Sequence, residues 1–137
     1  MLIQKQDYLA TLPDFLAYFA MAVVLVAVFL FVYTLLTPQR EFALVRDGNA
    51  AAATSLGGAL IGFVLPLASV ITHSQGLIDV AVWGGVALVV QALVFVGCRV
   101  LMPGLVEQIE GGRAAPAVLL ASFAVGIGAL NAACMTY

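Results

Sequence analysis

The sequence predicts an all-α, polytopic membrane protein: four transmembrane helices built as two tandem, parallel helix-loop-helix repeats. Three observations predict it. The 137 residues are 64% hydrophobic and 9% charged, with a mean hydropathy of +1.16. A water-soluble domain carries about 45–50% apolar and about 25% charged residues. The apolar residues gather in four stretches, each near the roughly 20 residues that cross a hydrocarbon core of about 30 Å. The second half of the chain also matches the first at a shift of about 64 residues.

The first stretch, Phe15–Leu36, exceeds the roughly 7–15 apolar residues of a secretory h-region, and no small-residue cleavage site follows Leu36. It is expected to be a retained helix. The second is Ala50–Thr72, the third Leu77–Leu101 and the fourth Ala114–Met135. In hydrocarbon each backbone amide needs an internal partner, so each stretch should be helical. Arg99 falls at the end of the third, where its stem can snorkel to the interface.

Thr37–Asn49 joins the first two helices and Met102–Arg113 the last two. Thr37-Pro38 resembles an N-cap followed by proline at the first helical position. Phe42 and Val45 share a face at helical spacing, as do Leu105 and Ile109. Gly48 and Gly111 are placed to stop a helix. The first loop is therefore expected to hold a short amphipathic helix at headgroup depth, and the second either such a helix or an ordinary connector. His73–Gly76 is little more than a turn, so the second and third helices should be antiparallel neighbours. Arg40, Arg46, Arg99 and Arg113 flank the two longer loops, and Lys5 alone lies on the other side. The positive-inside rule then makes those loops cytoplasmic and both termini periplasmic.

The internal match pairs Gly48-Asn49-Ala50-Ala51 with Gly112-Arg113-Ala114-Ala115, Val45 with Ile109, Gly58 with Ser122 and Gly62 with Gly126. Pro38 matches Pro103 with a slip of one residue. A shift spanning two helices keeps both units in one orientation. The expected repeats are 1–73 and 74–137, related by a pseudo-twofold axis along the membrane normal.

Small residues form the clearest motif. Gly58 and Gly62 stand one turn apart in the second helix, with Ser122 and Gly126 at matched positions in the fourth. Such residues let backbones approach closely, so these faces should pack inside the bundle or between protomers. Pro66 removes the hydrogen bond to the Gly62 carbonyl and predicts a kink. Gln91, near the middle of the third helix, and Asn131, in the outer part of the fourth, want a partner or water at their depth. With Pro66 they are candidates for interhelical hydrogen bonding or for a polar solute path.

No ionisable residue lies deep in any stretch, which weighs against a proton-coupled pump. It also separates the chain from small multidrug transporters, which use a carboxylate buried in their first helix. No paired carboxylates, serine-histidine arrangement or cysteine cluster appears, and the single histidine, His73, sits at a helix end. The expectation is no catalytic residue, no metal and no cofactor. The net charge of -2 without a basic run gives no nucleic-acid face. Cys98 and Cys134 fall near opposite membrane faces, too far apart for a disulfide.

Glu41-Phe42-Ala43-Leu44, Gly48-Asn49-Ala50-Ala51-Ala52, Ser55-Leu56-Gly57-Gly58-Ala59-Leu60-Ile61-Gly62-Phe63, Leu65-Pro66-Leu67-Ala68-Ser69 and the ending Leu130–Tyr137 resemble the DUF350 (UPF0719) family of small bacterial membrane proteins. The resemblance covers nearly the whole chain. It implies two tandem copies of one domain, a bacterial inner membrane and no assigned activity. It also implies an association of some relatives with membrane-stress proteins of the phage-shock type. The second copy departs from the pattern, with Arg113 and Pro116 where the first has Asn49 and Ala52. The functional expectation is a non-enzymatic, self-associating scaffold or stress-linked component, with the lipid bilayer and further copies of itself as partners. The alternative is an oligomeric pore or transporter for a small solute. A dry, closely packed interior favours the first, and a wet cavity near Gln91 and Pro66 the second.

Overall fold

The computed structural model describes residues 8–37 and 40–135, and all the regular structure among them is helical. Six helices follow in order: α1 (Tyr8–Leu36), α2 (Glu41–Arg46), α3 (Ala50–His73), α4 (Leu77–Leu101), α5 (Leu105–Glu110) and α6 (Ala114–Cys134). Four of them, α1, α3, α4 and α6, are long and apolar enough to cross a membrane. Even the shortest, α6 with 21 residues, spans about 31 Å at about 1.5 Å per residue. The helix begins seven residues before Phe15 in α1, which carries Pro13 and Asp14 into its outer turns. The other three spans end within one residue of the apolar stretches read from the sequence.

α3 is the centre of the bundle. It packs along its length on α6 and also touches α4, α1 and both short helices. Its buried positions are mostly small: Ala51, Ala52, Ser55, Gly58, Ala59 and Gly62, with Phe63, Pro66, Leu67 and Val70 toward the other end. α1 is peripheral and keeps a long apolar face exposed, including Leu9, Phe15, Phe19, Val23 and Phe31. An aromatic cluster holds it. Phe29 stacks on Phe63 of α3 with ring centroids 4.5 Å apart and planes within 4°. Tyr33 meets Phe95 of α4 edge-on at 5.6 Å. Offset-stacked and edge-to-face arrangements are those the ring quadrupoles favour. Gly84 of α4 receives the end of Leu25 from α1.

The two longer connections share one backbone pattern. Asp47 N–H donates to Ala43 O, Gly48 to Val45 O and Asn49 to Leu44 O. About 64 residues on, Gly111 donates to Glu107 O, Gly112 to Ile109 O and Arg113 to Gln108 O. Gly48 (φ 87°) and Gly112 (φ 79°) are left-handed, which glycine adopts without steric cost. Gly111, expected to be the stop, has an ordinary φ of -76°; the residue after it makes the turn. Thr37 does not cap α2. Its hydroxyl donates back to Tyr33 O at 3.1 Å, and α2 starts at Glu41 after an Arg40 cap that makes no side-chain bond. Pro38 lies outside the described residues.

The short helices also differ in what they bury. In α5, Leu105, Val106 and Ile109 are all buried. In α2, Phe42 is 47% and Val45 36% exposed, and the buried side chain is Glu41. The expected amphipathic face therefore turns inward in α5 and outward in α2.

Candidate functional site

The most closely built region is the crossing of α3 and α6, with α4 alongside. A β-carbon on Gly58 would run into Ala121, and one on Gly62 into the Ala124 backbone. One on Gly128 would meet the carbonyl and α-carbon of Gly62. Two helices meet here backbone to backbone, which only glycine and alanine permit. Close contact gathers many dispersion contacts of about 0.1–0.2 kcal/mol each. It also brings α-carbon hydrogens toward carbonyls, a weak but recurrent attraction at helix crossings.

Pro66 explains why the Gly62 carbonyl is available. Proline has no N–H to return to residue 62, and Pro66 is buried inside α3. The freed carbonyl points at Gly128. Gln91 closes the third side. It is 1% exposed, and its Nε2–H donates to Ala124 O at 3.1 Å, beside the space a Gly62 side chain would need. Farther along, the Ser69 hydroxyl donates to Ala132 O at 3.0 Å. The Gln91 Oε1 and Asn131 Nδ2 atoms are buried without a hydrogen-bond partner.

These positions divide the residues singled out from sequence. Gly58, Gly62, Pro66 and Gln91 come together at the crossing, and Asn131 lies one turn beyond Gly128 on α6. Ser122 and Gly126 do not join them within the chain. Both are exposed, the Ser122 hydroxyl donates to Val118 O in its own helix, and open space surrounds Gly126. The face that α6 presents to α3 is Ala121, Ala124 and Gly128, roughly opposite. The shift of about 64 residues maps Gly58 and Gly62 onto Ser122 and Gly126, which lie on the other side of α6 from its contact with α3. The paired glycines Gly126 and Gly128 were the available signal, and only the second is used inside the fold.

A second feature ties the two longer connections together. Asn49 Oδ1 accepts from Ala52 N at 3.0 Å, capping α3. The same side chain's Nδ2 donates to Ile109 O at 2.9 Å and Glu110 O at 3.2 Å, satisfying the last carbonyls of α5. Arg113, at the corresponding position, makes no side-chain cap. The clamp sets both connections on one face of the bundle and starts α3 and α6 in the same direction.

Among the described residues, hollows lie on the perimeter, and three of them border α1 or lie between α4 and α6. One of about 320 Å³ between α4 and α6 is lined by Val94, Cys98, Phe123 and Ile127 among others. One of about 290 Å³ between α1 and α3 is lined by Phe19, Val26, Leu67 and Ile71 among others. The third, at the junction of α1 and α2, is lined by both polar and apolar residues. Cys98 is buried, Cys134 is exposed and both are free thiols. His73 is exposed, and its Nδ1–H donates to Ser69 O at 2.8 Å. Among the described residues, no three His, Cys, Asp or Glu side chains gather as a metal site would require.

Four apolar spans around a glycine-lined crossing, with two short helices on one face, define a polytopic helical membrane protein. The chain belongs to the DUF350 family, a domain of unknown function, whose model matches residues 7–135. It is 41% identical over 129 residues to the UPF0719 inner membrane protein YjfL of Escherichia coli K12, covering 94% of this chain and 98% of that protein. The same protein from Escherichia coli O157:H7 matches to the same extent. That description gives a location and no reaction. No solved structure matches.

Proposed function

We propose that this protein is a non-enzymatic, self-associating component of the bacterial inner membrane, with a scaffolding role linked to membrane stress. It is made of two tandem copies of one helix, short helix, helix unit. The observation that carries the proposal is the crossing itself. Where Gly58 meets Ala121 and Gly62 meets Ala124 and Gly128, the backbones touch and leave no room for a conduit between α3 and α6. Gln91, the residue best suited to line a wet path, is sealed against Ala124. The recurrence of three backbone hydrogen bonds about 64 residues apart supports the tandem unit.

Self-association follows from what the crossing leaves unused. Ser122 and Gly126 face outward from α6, beside exposed Val118, Leu119 and Phe123. In lipid such a face gains nothing from hydrophobic burial, and small residues at one-turn spacing favour close helix pairing. The experiment is size exclusion in mild detergent with light-scattering mass. The parent should elute as an oligomer. Gly126→Leu should shift it toward monomer with its melting temperature kept, and Ser122→Leu should act in the same direction. A parent that is monomeric in several mild detergents, or a Gly126→Leu variant with unchanged mass, would sink the self-association.

A further inference from the structure

We propose that the elbow between α1 and α2 is a binding site for the phosphate of an anionic phospholipid headgroup. The hollow there has a volume of about 390 Å³ and is lined by Thr34 of α1, by Thr37 just after it, and by residues of the α2 segment that include Arg40, Glu41, Phe42 and Arg46. That volume suits a headgroup, within the roughly 300–1,000 Å³ of small-ligand sites, and is too small for a whole lipid. It opens directly after Leu36, where the apolar span of α1 ends, so it sits at headgroup depth.

The donors that can read a phosphate are the two guanidiniums. The Thr34 hydroxyl is spent on Phe31 O at 2.9 Å and the Thr37 hydroxyl on Tyr33 O. Arg40 and Arg46 are exposed, and each planar fork can hold two phosphate oxygens at once. The one acid in the lining does not compete for them. Glu41 is 1% exposed, so its side chain is turned away from the surface at which Arg40 and Arg46 stand exposed. Phe42 and Val45, exposed on the same short helix, supply the apolar contact with the upper acyl chains that a soluble anion would not use. That outward face, reversed in α5, is what the site accounts for.

The second connection is an internal control. Where the first has Arg40 and Arg46, the second has Gly104 and Glu110. Its apolar residues Leu105, Val106 and Ile109 are buried, so it offers neither the charges nor the wedge. One copy of the loop holds an anionic lipid and the other packs against the bundle.

The test is native mass spectrometry of the purified protein with added dioleoylphosphatidylglycerol or dioleoylphosphatidylcholine. The parent should bind phosphatidylglycerol about 25-fold better. Arg40→Gln with Arg46→Gln should abolish that preference, each arginine accounting for about fivefold at the membrane surface. Arg113→Gln, on the same face, should keep it. Should the glutamine pair fail to fold, Arg40→Lys with Arg46→Lys keeps the charges and should retain a reduced preference. Equal binding of both lipids by the parent would overturn the proposal, as would an Arg113→Gln loss equal to that of the pair or no preference in a folded lysine pair. Inorganic phosphate at millimolar concentration should displace little phosphatidylglycerol. Full displacement would assign the site to a soluble anion and overturn the lipid.

Discussion

At the scale of single residues, two positions do more than their residue types suggest. Asn49 is an ordinary N-cap for α3 and also the donor that finishes α5. Removing it as Asn49→Ala loses the cap, about 1 kcal/mol, and leaves the α5 carbonyls without their donor. Asn49→Asp separates the two roles, since a carboxylate still accepts from Ala52 N but cannot donate to Ile109 and Glu110. Thermal melting in detergent should rank parent above Asn49→Asp above Asn49→Ala. An aspartate variant as stable as the parent would show that the link between the loops contributes nothing. Gly62 is the other case. Gly62→Leu must displace the α6 backbone, beyond the usual overpacking cost of about 1–3 kcal/mol, and Gly128→Leu meets the same wall from the other side. Gly126→Leu faces open space and should melt with the parent. If heating followed by size exclusion shows all three alike, the crossing is not what holds the bundle. Gly58 and Gly62 were legible as a motif because spacing within one helix is a sequence property. Gly128 was not, because which face a helix turns to its neighbour depends on rotation, and a one-residue change moves a side chain about 100° around the axis.

At the scale of elements, the four spans could be read from the sequence because the bilayer permits so few alternatives, but only α3, α4 and α6 end within one residue of their apolar stretches. α1 begins seven residues earlier than Phe15, and α2 starts at Glu41 without the expected Thr37 cap. What escaped was the inward turn of Glu41 and the outward turn of Phe42. Periodicity over six residues shows that a face exists and not which way it points. The attachment of α1 is the other result visible only in three dimensions. Most of α1 is exposed, and its hold on the bundle includes buried Phe29 and Tyr33 together with partly buried Met21, Leu25 and Leu30. Phe29 and Tyr33 stand one turn apart with centroids 5.5 Å from each other, so the sequence did carry a hint of one sticky face. Phe29→Ala removes the stack on Phe63 and should destabilise by about 0.5–1.5 kcal/mol beyond the lost contact area. Phe31→Ala, at a position 66% exposed, should change little. Equal melting of the two variants would mean that α1 is held by lipid and loop alone.

At the scale of the whole molecule, sidedness has two separable parts. The Asn49 bonds to Ile109 and Glu110 fix both longer connections on one face, whichever leaflet that is. The choice of leaflet rests on charge: Arg40, Arg46, Arg99 and Arg113 lie at that face, and Lys5 alone is in the segment before α1. A basic side chain near a span end resists translocation, whereas acids such as Asp79, in the first turn of α4, carry little weight. Alkaline phosphatase and green fluorescent protein fusions after Asn49 and after Arg113 should therefore agree with each other and report cytoplasm. A fusion at Tyr137 should report periplasm, since four spans return the chain to the side it left. The outcomes fail different arguments. Disagreement between the two loop fusions would contradict the Asn49 clamp. Agreement on the periplasm would leave the fold standing and overturn the charge rule for this chain. A cytoplasmic carboxy terminus together with cytoplasmic loops would mean that α6 does not cross, and its contact with α3 would then have to form outside the bilayer.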